Sequence, residues 1–253
     1  KAKENPRGTI NSNIIGTYNI LEAINLYCKT PCLIVATTDK VYANPLALNT
    51  EDFPIGGDEF YSATKAASEH IIRAFTKTIK RSDLNIGIIR SGNVLGGGDG
   101  AADRVITDIL NSLKNNAKIK LRNPSGVRPW QYIIDSLHGY LLSAEYCVQN
   151  RVDEIFNLHS KKNNNFTVRE ITESLIKYWG NSIDNLILEC PSDLKETPVL
   201  KLNSDKAHSL LGWTALHDIN SISKNIVQWE KAKLKGKNIT FEQIDEHFNM
   251  TKI

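Results

Sequence analysis

Tyr61 and Lys65 stand four residues apart, so on a helix they share one face. An ammonium beside a phenol hydroxyl stabilises the phenolate and lowers its pKa from about 10. A phenol tuned in this way can take a proton from a sugar alcohol as a general base. Earlier in the chain, Thr37-Thr38-Asp39-Lys40 sets hydroxyls, a carboxylate and an ammonium in succession. Such groups can give and take protons around one substrate. Thr and Asp equally favour a helix N-cap or an Asx turn, and Tyr-x-x-x-Lys alone also fits the surface of any amphipathic helix. The two motifs gain meaning from each other.

Other candidates are single residues. Asn93 precedes the loop Gly96-Gly97-Gly98-Asp99-Gly100, where an amide can bind a polar ligand group or satisfy backbone atoms. No Lys-Ser or Lys-Thr follows that loop, so it reads as a flexible turn rather than a phosphate cradle. Arg104 and Arg128 are candidate diphosphate ligands, because a guanidinium holds phosphate oxygens bidentately; lone arginines also sit on ordinary surfaces. The six histidines show no ligand spacing, so no metal site is expected. Without a Gly-x-Ser-x-Gly elbow, a serine hydrolase is not supported.

Positioning these residues requires a scaffold. Ile10, Ile14, Ile15, Tyr18, Leu21 and Ile24 recur at helical spacing, which predicts an amphipathic helix over about 7–28. Leu33-Ile34-Val35-Ala36 reads as a short buried parallel strand ending at the Thr37–Lys40 cluster. A loop with Pro45, Pro54, Gly56 and Gly57 leads to a helix from about Phe60 to Lys80, and Asn85–Arg90 is a second buried strand. Helix, strand, helix, strand predicts a parallel α/β sheet. Ligands in such sheets bind past the carboxyl ends of the strands, where 37–40 and 91–93 fall. Further on, a helix is expected over Ala102–Lys114, a strand near Ile119–Leu121, a turn over Pro124–Pro129, a helix over Asp135–Gln149 and a strand over Ile155–Leu158. Lys161–Asn165 reads as a solvated loop. Thr167 and Glu170 form a capping box for a helix to Trp179. Helices over Ser204–Leu211, His217–Lys235 and Phe241–Phe248 complete the chain.

Composition narrows the function. Lys and Arg number 31 against 28 Asp and Glu, a net charge of +3, too balanced for a nucleic-acid or acidic-membrane partner. Hydrophobic residues make up 41% and charged residues 23%, ordinary for a globular protein of 253 residues. No apolar run approaches the roughly 20 residues of a membrane span. The four cysteines contain no Cys-x-x-Cys pair and read as reduced thiols of a cytoplasmic protein.

Together the motifs resemble the extended short-chain dehydrogenase/reductase superfamily over nearly the whole chain. Asn13-Ile14-Ile15-Gly16-Thr17 is similar to its active-site Asn helix. Thr38-Asp39-Lys40, Tyr61-Ser62-Ala63-Thr64-Lys65 and Arg90-Ser91-Gly92-Asn93-Val94 follow in family order. Within it the chain resembles the CDP-glucose branch of the 4,6-dehydratases. Three segments carry that likeness: Asp39-Lys40, where related dehydratases have Asp-Glu; Gly92–Asp99 with Asp103-Arg104; and Leu121-Arg122-Asn123-Pro124 with Arg128-Pro129-Trp130-Gln131. Leu200-Lys201-Leu202 and Leu211-Gly212-Trp213 agree. The chain departs from the branch at Gly56-Gly57-Asp58-Glu59-Phe60 and at Gly100. The superfamily opens with a strand and Gly-x-x-Gly-x-x-Gly, which seats a pyrophosphate at a helix N-terminus. These 253 residues hold no such segment and their only methionine is Met250, so the resemblance implies an opening segment lying outside this sequence.

The resemblance implies a Rossmann-like doubly wound parallel sheet, its NAD-binding part over 1–95, and a smaller α/β substrate domain over 96–253 with some elements returning to the sheet. It implies NAD as cofactor and a nucleotide-sugar substrate, CDP-glucose, converted to the 4-keto-6-deoxy sugar nucleotide for deoxysugar and lipopolysaccharide synthesis. Tyr61, kept as phenolate by Lys65, would take the C4 hydroxyl proton; Lys40 the C5 proton; Asp39, kept protonated by burial, would expel the C6 hydroxyl; Thr38 would bond the C4 oxygen. Tyr61 and Lys65 would also face the cofactor, and Asn93, Arg104 and Arg128 would hold the sugar nucleotide. Relatives pair the helices near 7–28 and 60–80 across a homodimer. Two alternatives remain: an NAD-dependent sugar-nucleotide epimerase or reductase, which needs no elimination pair, and a truncated remnant without activity.

Overall fold

The computed structural model describes residues 2–29, 31–44, 48–101, 104–160, 165–181, 187–189 and 201–251. Pro45, the expected helix start at Ala102, Asp103, the loop 161–164, Cys190 and Leu200 lie outside them. The chain forms two units, each with its own core: residues 1–92, 138–158 and 201–213, and residues 93–137, 159–200 and 214–253.

In the first unit, α1 (Pro6–Ile10) runs through a π-helical turn (Asn11–Ile15) into α2 (Gly16–Tyr27). The strand β1 (Cys32–Ala36) follows, then a 3₁₀ turn (Asp39–Val41), β2 (Leu48–Asn49), α3 (Phe60–Ile79) and β3 (Asn85–Ser91). After an excursion into the second unit, α5 (Ile133–Asn150) brings the chain back to β7 (Glu154–Leu158), and β10 (Lys201–Leu202) and α7 (Asp205–Leu211) close the unit. The sheet has the order β1-β3-β7 and is parallel throughout, with Val35 opposite Ile88 and Ile88 opposite Ile155. Every residue of the central strand β3 is buried, as its near-continuous apolar run requires. Leu21, Ile72, Leu84, Ile86 and Ile88 fill the space between sheet and helices.

The second unit contains β4 (Asn93–Leu95), α4 (Val105–Lys114), β5 (Ile119–Leu121), β6 (Val127–Tyr132), β8 (Asn165–Thr167), α6 (Val168–Trp179), β9 (Ile187–Glu189), α8 (Ile219–Leu234) and α9 (Thr240–Thr251). β6 lies between a parallel β4 and an antiparallel β8; β5 pairs with β9. Its core gathers Ile109, Leu113, Leu121, Trp130, Leu175, Ile222 and Ile226. The capping box stands as read: the Glu170 amide donates to Thr167 Oγ1 at 3.1 Å and Glu170 Oε2 accepts from the Thr167 amide at 2.7 Å. At the other end Gly180 takes a left-handed φ of 92° and stops α6.

The expected helix over 7–28 is present and runs through the π turn; of its apolar stripe Leu21 is fully buried, and Ile10, Ile15 and Tyr18 are 37%, 47% and 44% exposed. Three expectations are corrected. β1 is not a buried strand: among the described residues it pairs only with β3, and Cys32 and Ala36 are exposed. The segment 124–129 is a turn only to Gly126, because β4 and β8 supply ladder partners from residue 127 onward. The glycine loop is packed rather than flexible: a Cβ on Gly97 would lie 2.4 Å from Trp229 Cδ2. No helix among the described residues is long and apolar enough to cross a membrane.

Candidate functional site

Thr38, Asp39 and Lys40 follow the carboxyl end of β1 in the first unit, and Lys65 reaches that strand end from α3. Glu59 and Ser62 cap α3 reciprocally, and Gly57, at φ 140°, lets the preceding loop approach so closely that a Cβ would sit 2.6 Å from the Ala63 amide. α3 then presents Tyr61 and Lys65 one turn apart. Lys65 Nζ donates to the Ala36 carbonyl, the last of β1, at 3.0 Å. Burial pushes the Lys65 ammonium pKa down, and the carboxylate of Glu69 on the next turn opposes that shift.

The Thr38–Lys40 segment is both a cap and a cluster of reactive groups. Thr38 is the N-cap of the 3₁₀ turn, accepting the Lys40 amide at 3.3 Å, while its hydroxyl donates to Asp39 Oδ1 at 2.9 Å. Asp39 is 4% exposed and Lys40 is exposed. The Thr37 amide bonds the Ile89 carbonyl at 2.7 Å, so this segment continues directly from the β1–β3 ladder. Asn13, on the π turn, donates to Thr64 Oγ1 at 2.9 Å and accepts Ser68 Oγ at 2.7 Å, stitching that helix to α3.

Sequence reading gave no role to three residues of this unit, Tyr140, Glu69 and Arg90. Burial raises the Tyr140 phenol, a Ser91 hydrogen bond lowers it, and Tyr61 lies near enough to raise it again. Glu69 is fully buried against Arg90. The signal for Glu69 and Arg90 was available: each is a charge on a face that the apolar pattern assigns to the interior.

In the second unit, Asn93 of β4 stands opposite Trp130 of β6, two residues beyond Arg128 on the same strand. Arg128 is 8% exposed, with Nη1 donating to the Val127 carbonyl at 2.8 Å. Arg104 is exposed, and its Nε lies 3.5 Å from Asp99 Oδ2. Asn93 and Arg128 thus share one small sheet, whereas Arg104 faces the glycine loop.

The scattered histidines conceal a cluster. Asp135, His217 and His247 are buried, with donor atoms within 4.8 Å of one another. These are donor types that can hold a transition metal, but Asp135 Oδ1 already lies 2.9 Å from His217 Nδ1. Burial alone would raise the Asp135 carboxyl, yet hydrogen bonds from His217 and His247 hold it below the usual carboxylate value.

Burial pushes the His159 imidazole down to about 4. An unfolded imidazole titrates near 6.5, so the unfolded chain binds more protons between those values. This contribution is fully present above about pH 6.5 and falls by up to about 3 kcal/mol as pH drops to 4. His159→Gln should flatten that part of the stability–pH curve. Urea unfolding at pH 7 and 4.5 measures it, and an unchanged slope would show that the imidazole titrates normally.

Residues 1–158 match the family described as the NAD dependent epimerase/dehydratase family. The chain is 31% identical over 246 residues to the CDP-glucose 4,6-dehydratase of Salmonella typhimurium, covering 93% of this chain and 68% of that enzyme. Two solved structures share the fold. The dTDP-glucose 4,6-dehydratase of Bacillus anthracis, in complex with NAD, is 21% identical with a TM-score of 0.75, over 90% of this chain and 70% of that one. A UDP-glucose-4-epimerase of Stenotrophomonas maltophila is 18% identical with a TM-score of 0.80, over 93% and 74%. The parallel β1-β3-β7 sheet is therefore Rossmann-like, and the chain belongs to the NAD dependent epimerase/dehydratase family, whose members are sugar-nucleotide dehydratases and epimerases.

Proposed function

We propose that this chain carries the chemistry of a nucleotide-sugar 4,6-dehydratase acting on CDP-glucose. One observation bears most of the weight: Lys65 reaches from α3 to the last carbonyl of β1, Tyr61 stands one helical turn before it, and the turn after β1 holds Asp39 and Lys40. The likeness to a CDP-glucose 4,6-dehydratase supports the choice of nucleotide.

The donor set fits NAD. Lys65 spends one N–H on Ala36 and has two more for a ribose hydroxyl and the Tyr61 phenol. NAD, held by Lys65 and Tyr61, would supply the hydride acceptor for C4 and the hydride donor for C6. Tyr61 as phenolate removes the C4 hydroxyl proton, and the Lys65 ammonium stabilises that phenolate. With C4 a ketone, the C5 proton is acidic, and Lys40 as neutral amine removes it. Asp39 as carboxylic acid donates its proton to the departing C6 hydroxyl, which leaves as water, and the Lys40 ammonium returns the proton to C5 as C6 is reduced.

The Thr38–Asp39 bond links these steps. With Asp39 ionised, Thr38 donates to it. With Asp39 protonated, the carboxyl O–H donates to Thr38, and the Thr38 hydroxyl proton turns to the C4 oxygen. Asn93, Arg104 and Arg128 would hold the nucleotide, and Tyr61 and Lys65 the cofactor. The exposed Ile10, Ile15 and Tyr18 favour a homodimer through α1, α2 and α3, and the free thiols Cys28 and Cys32 suit the cytoplasm.

Incubating the active protein with NAD and, separately, CDP-, dTDP- and UDP-glucose tests the proposal. The expected result is a 4-keto-6-deoxy product from CDP-glucose at the highest kcat/KM. An epimerase reading has support in the shared fold; C4 inversion without loss of water would establish it instead.

Arg128→Ala should raise the Kd for the nucleotide sugar by the loss of a charge-assisted contact, roughly 1.5–3 kcal/mol. Calorimetric titration giving the parent Kd would remove Arg128 from the substrate site.

A further inference from the structure

We infer that Glu69 is a positioning residue of this reaction: it fixes the charge environment of Lys65 and fastens the Tyr61 helix to the turn that carries Asp39 and Lys40. The inference rests on the proposed roles of Tyr61 and Lys65.

Tyr61, Lys65 and Glu69 occupy three successive turns of one face of α3. Lys65 grips the Ala36 carbonyl, and Glu69 Oε1 accepts the hydroxyl of the next residue, Thr37, at 2.8 Å. Two turns of the helix therefore hold two consecutive residues of the strand end, directly before Thr38. The position of Asp39 and Lys40 relative to Tyr61 is set through these contacts.

The other side of Glu69 is anchored as firmly. Glu69 and Arg90 are both 0% exposed. Arg90 Nη2 donates to Glu69 Oε2 at 2.6 Å and Arg90 Nε to Oε1 at 3.0 Å. Arg90 Nη1 reaches Tyr42 Oη at 2.9 Å and the Glu51 carbonyl at 3.0 Å, and Tyr42 donates to Asn157 Oδ1 at 2.6 Å. A buried ion pair is a poor way to gain stability, since apolar residues of the same volume do as well or better. A carboxylate kept one turn from Lys65 calls for another use.

That use is electrostatic. Burial favours the neutral amine of Lys65, and Glu69 favours the ammonium. A neutral Lys65 could not stabilise the Tyr61 phenolate. The groups facing this region are Tyr61, Glu69 and Arg73 on α3, Thr37 and Asp39 after β1, Arg90 on β3, Tyr42 after the 3₁₀ turn, and Tyr140 on α5. Glu69 is the charge whose field favours the protonated form of Lys65.

Glu69→Gln keeps an oxygen for Thr37 and removes the charge, but leaves Arg90 buried and unpaired. Glu69→Gln with Arg90→Gln removes both charges, so that neither is left buried alone, and thermal unfolding verifies that it folds. Lysine side-chain NMR titration of the cofactor-free protein should show Lys65 losing its proton at lower pH in the folded double variant, because the charge that acts on Lys65 is that of Glu69, on its own helix face. The alkaline limb of the pH–turnover profile should move down by the same amount. Glu69→Asp, which keeps the charge, should leave the Lys65 titration near the parent value. A folded double variant with parental Lys65 titration and alkaline limb would overturn the inference and leave Glu69 a structural brace. Failure of the underlying reading looks different: Tyr61→Phe would retain turnover, while the Lys65 titration would still report on Glu69.

Discussion

Replacing Tyr61 by Phe should cut turnover by about 10²–10⁴-fold, the usual contribution of a positioned general base, while nucleotide-sugar binding changes little. Phe keeps the ring and loses only the hydroxyl. Tyr61 is half-buried near the start of a reciprocally capped helix, so the backbone that carries it has no reason to move. Without the phenol, the C4 hydroxyl proton has no acceptor on this face. Thr38 cannot substitute, because a hydroxyl engaged with Asp39 is a far weaker base than a phenolate beside an ammonium. Steady-state kinetics with CDP-glucose separate the outcomes. A fall in kcat at constant Kd supports proton removal by Tyr61. An unchanged kcat would make Tyr61 a packing residue of α3 and remove the central observation behind the proposed function.

This site was legible where chemistry and secondary structure use the same short stretch of chain. Tyr61 and Lys65 are one helical turn apart, and Thr38-Asp39-Lys40 follows an apolar strand, so local spacing alone places each pair. The Thr167–Glu170 box was legible for the same reason: both partners lie within one turn. β3 was legible because a parallel central strand is apolar on both faces.

What stayed hidden depends on partners distant in sequence. β4 and β8 are three residues each and exist as strands because β6 lies between them; nothing local announces them. Asp135 meets His217 across 82 positions. The first helix was read as amphipathic, but its spacing does not say what its apolar stripe meets: Ile10, Ile15 and Tyr18 remain on the surface, because periodicity reports that a face is apolar without naming what covers it. Arg90 shows the limit best. It stands inside an otherwise apolar strand, and only the fold reveals that Glu69, 21 residues away, neutralises it.

Asp39→Asn and Lys40→Ala should each stop formation of the 4-keto-6-deoxy product, but at different bonds, and deuterium distinguishes them. Loss of water requires a base at C5 and an acid at C6. Asn keeps the size of Asp39 and its acceptor for Thr38, now at 4% exposure, but carries no carboxyl proton to give. In deuterium oxide, Asp39→Asn should therefore still exchange C5 through Lys40, and substrate recovered after turnover should carry deuterium at C5 with its C6 hydroxyl intact. Lys40→Ala removes the base, so neither C5 exchange nor product should appear. Lys40 is exposed, and its truncation leaves the Thr38 cap in place because the cap uses the Lys40 amide, not its side chain. General acid–base groups contribute about 10²–10⁴-fold, so either product rate should fall by that factor. Mass spectrometry of the sugar reads deuterium at C5 and retention of the C6 hydroxyl together. If Lys40→Ala exchanges C5 at the parent rate, the base lies elsewhere. If Asp39→Asn releases product at the parent rate, Asp39 is only the cap partner of Thr38, and the elimination acid must be sought among other groups near β1.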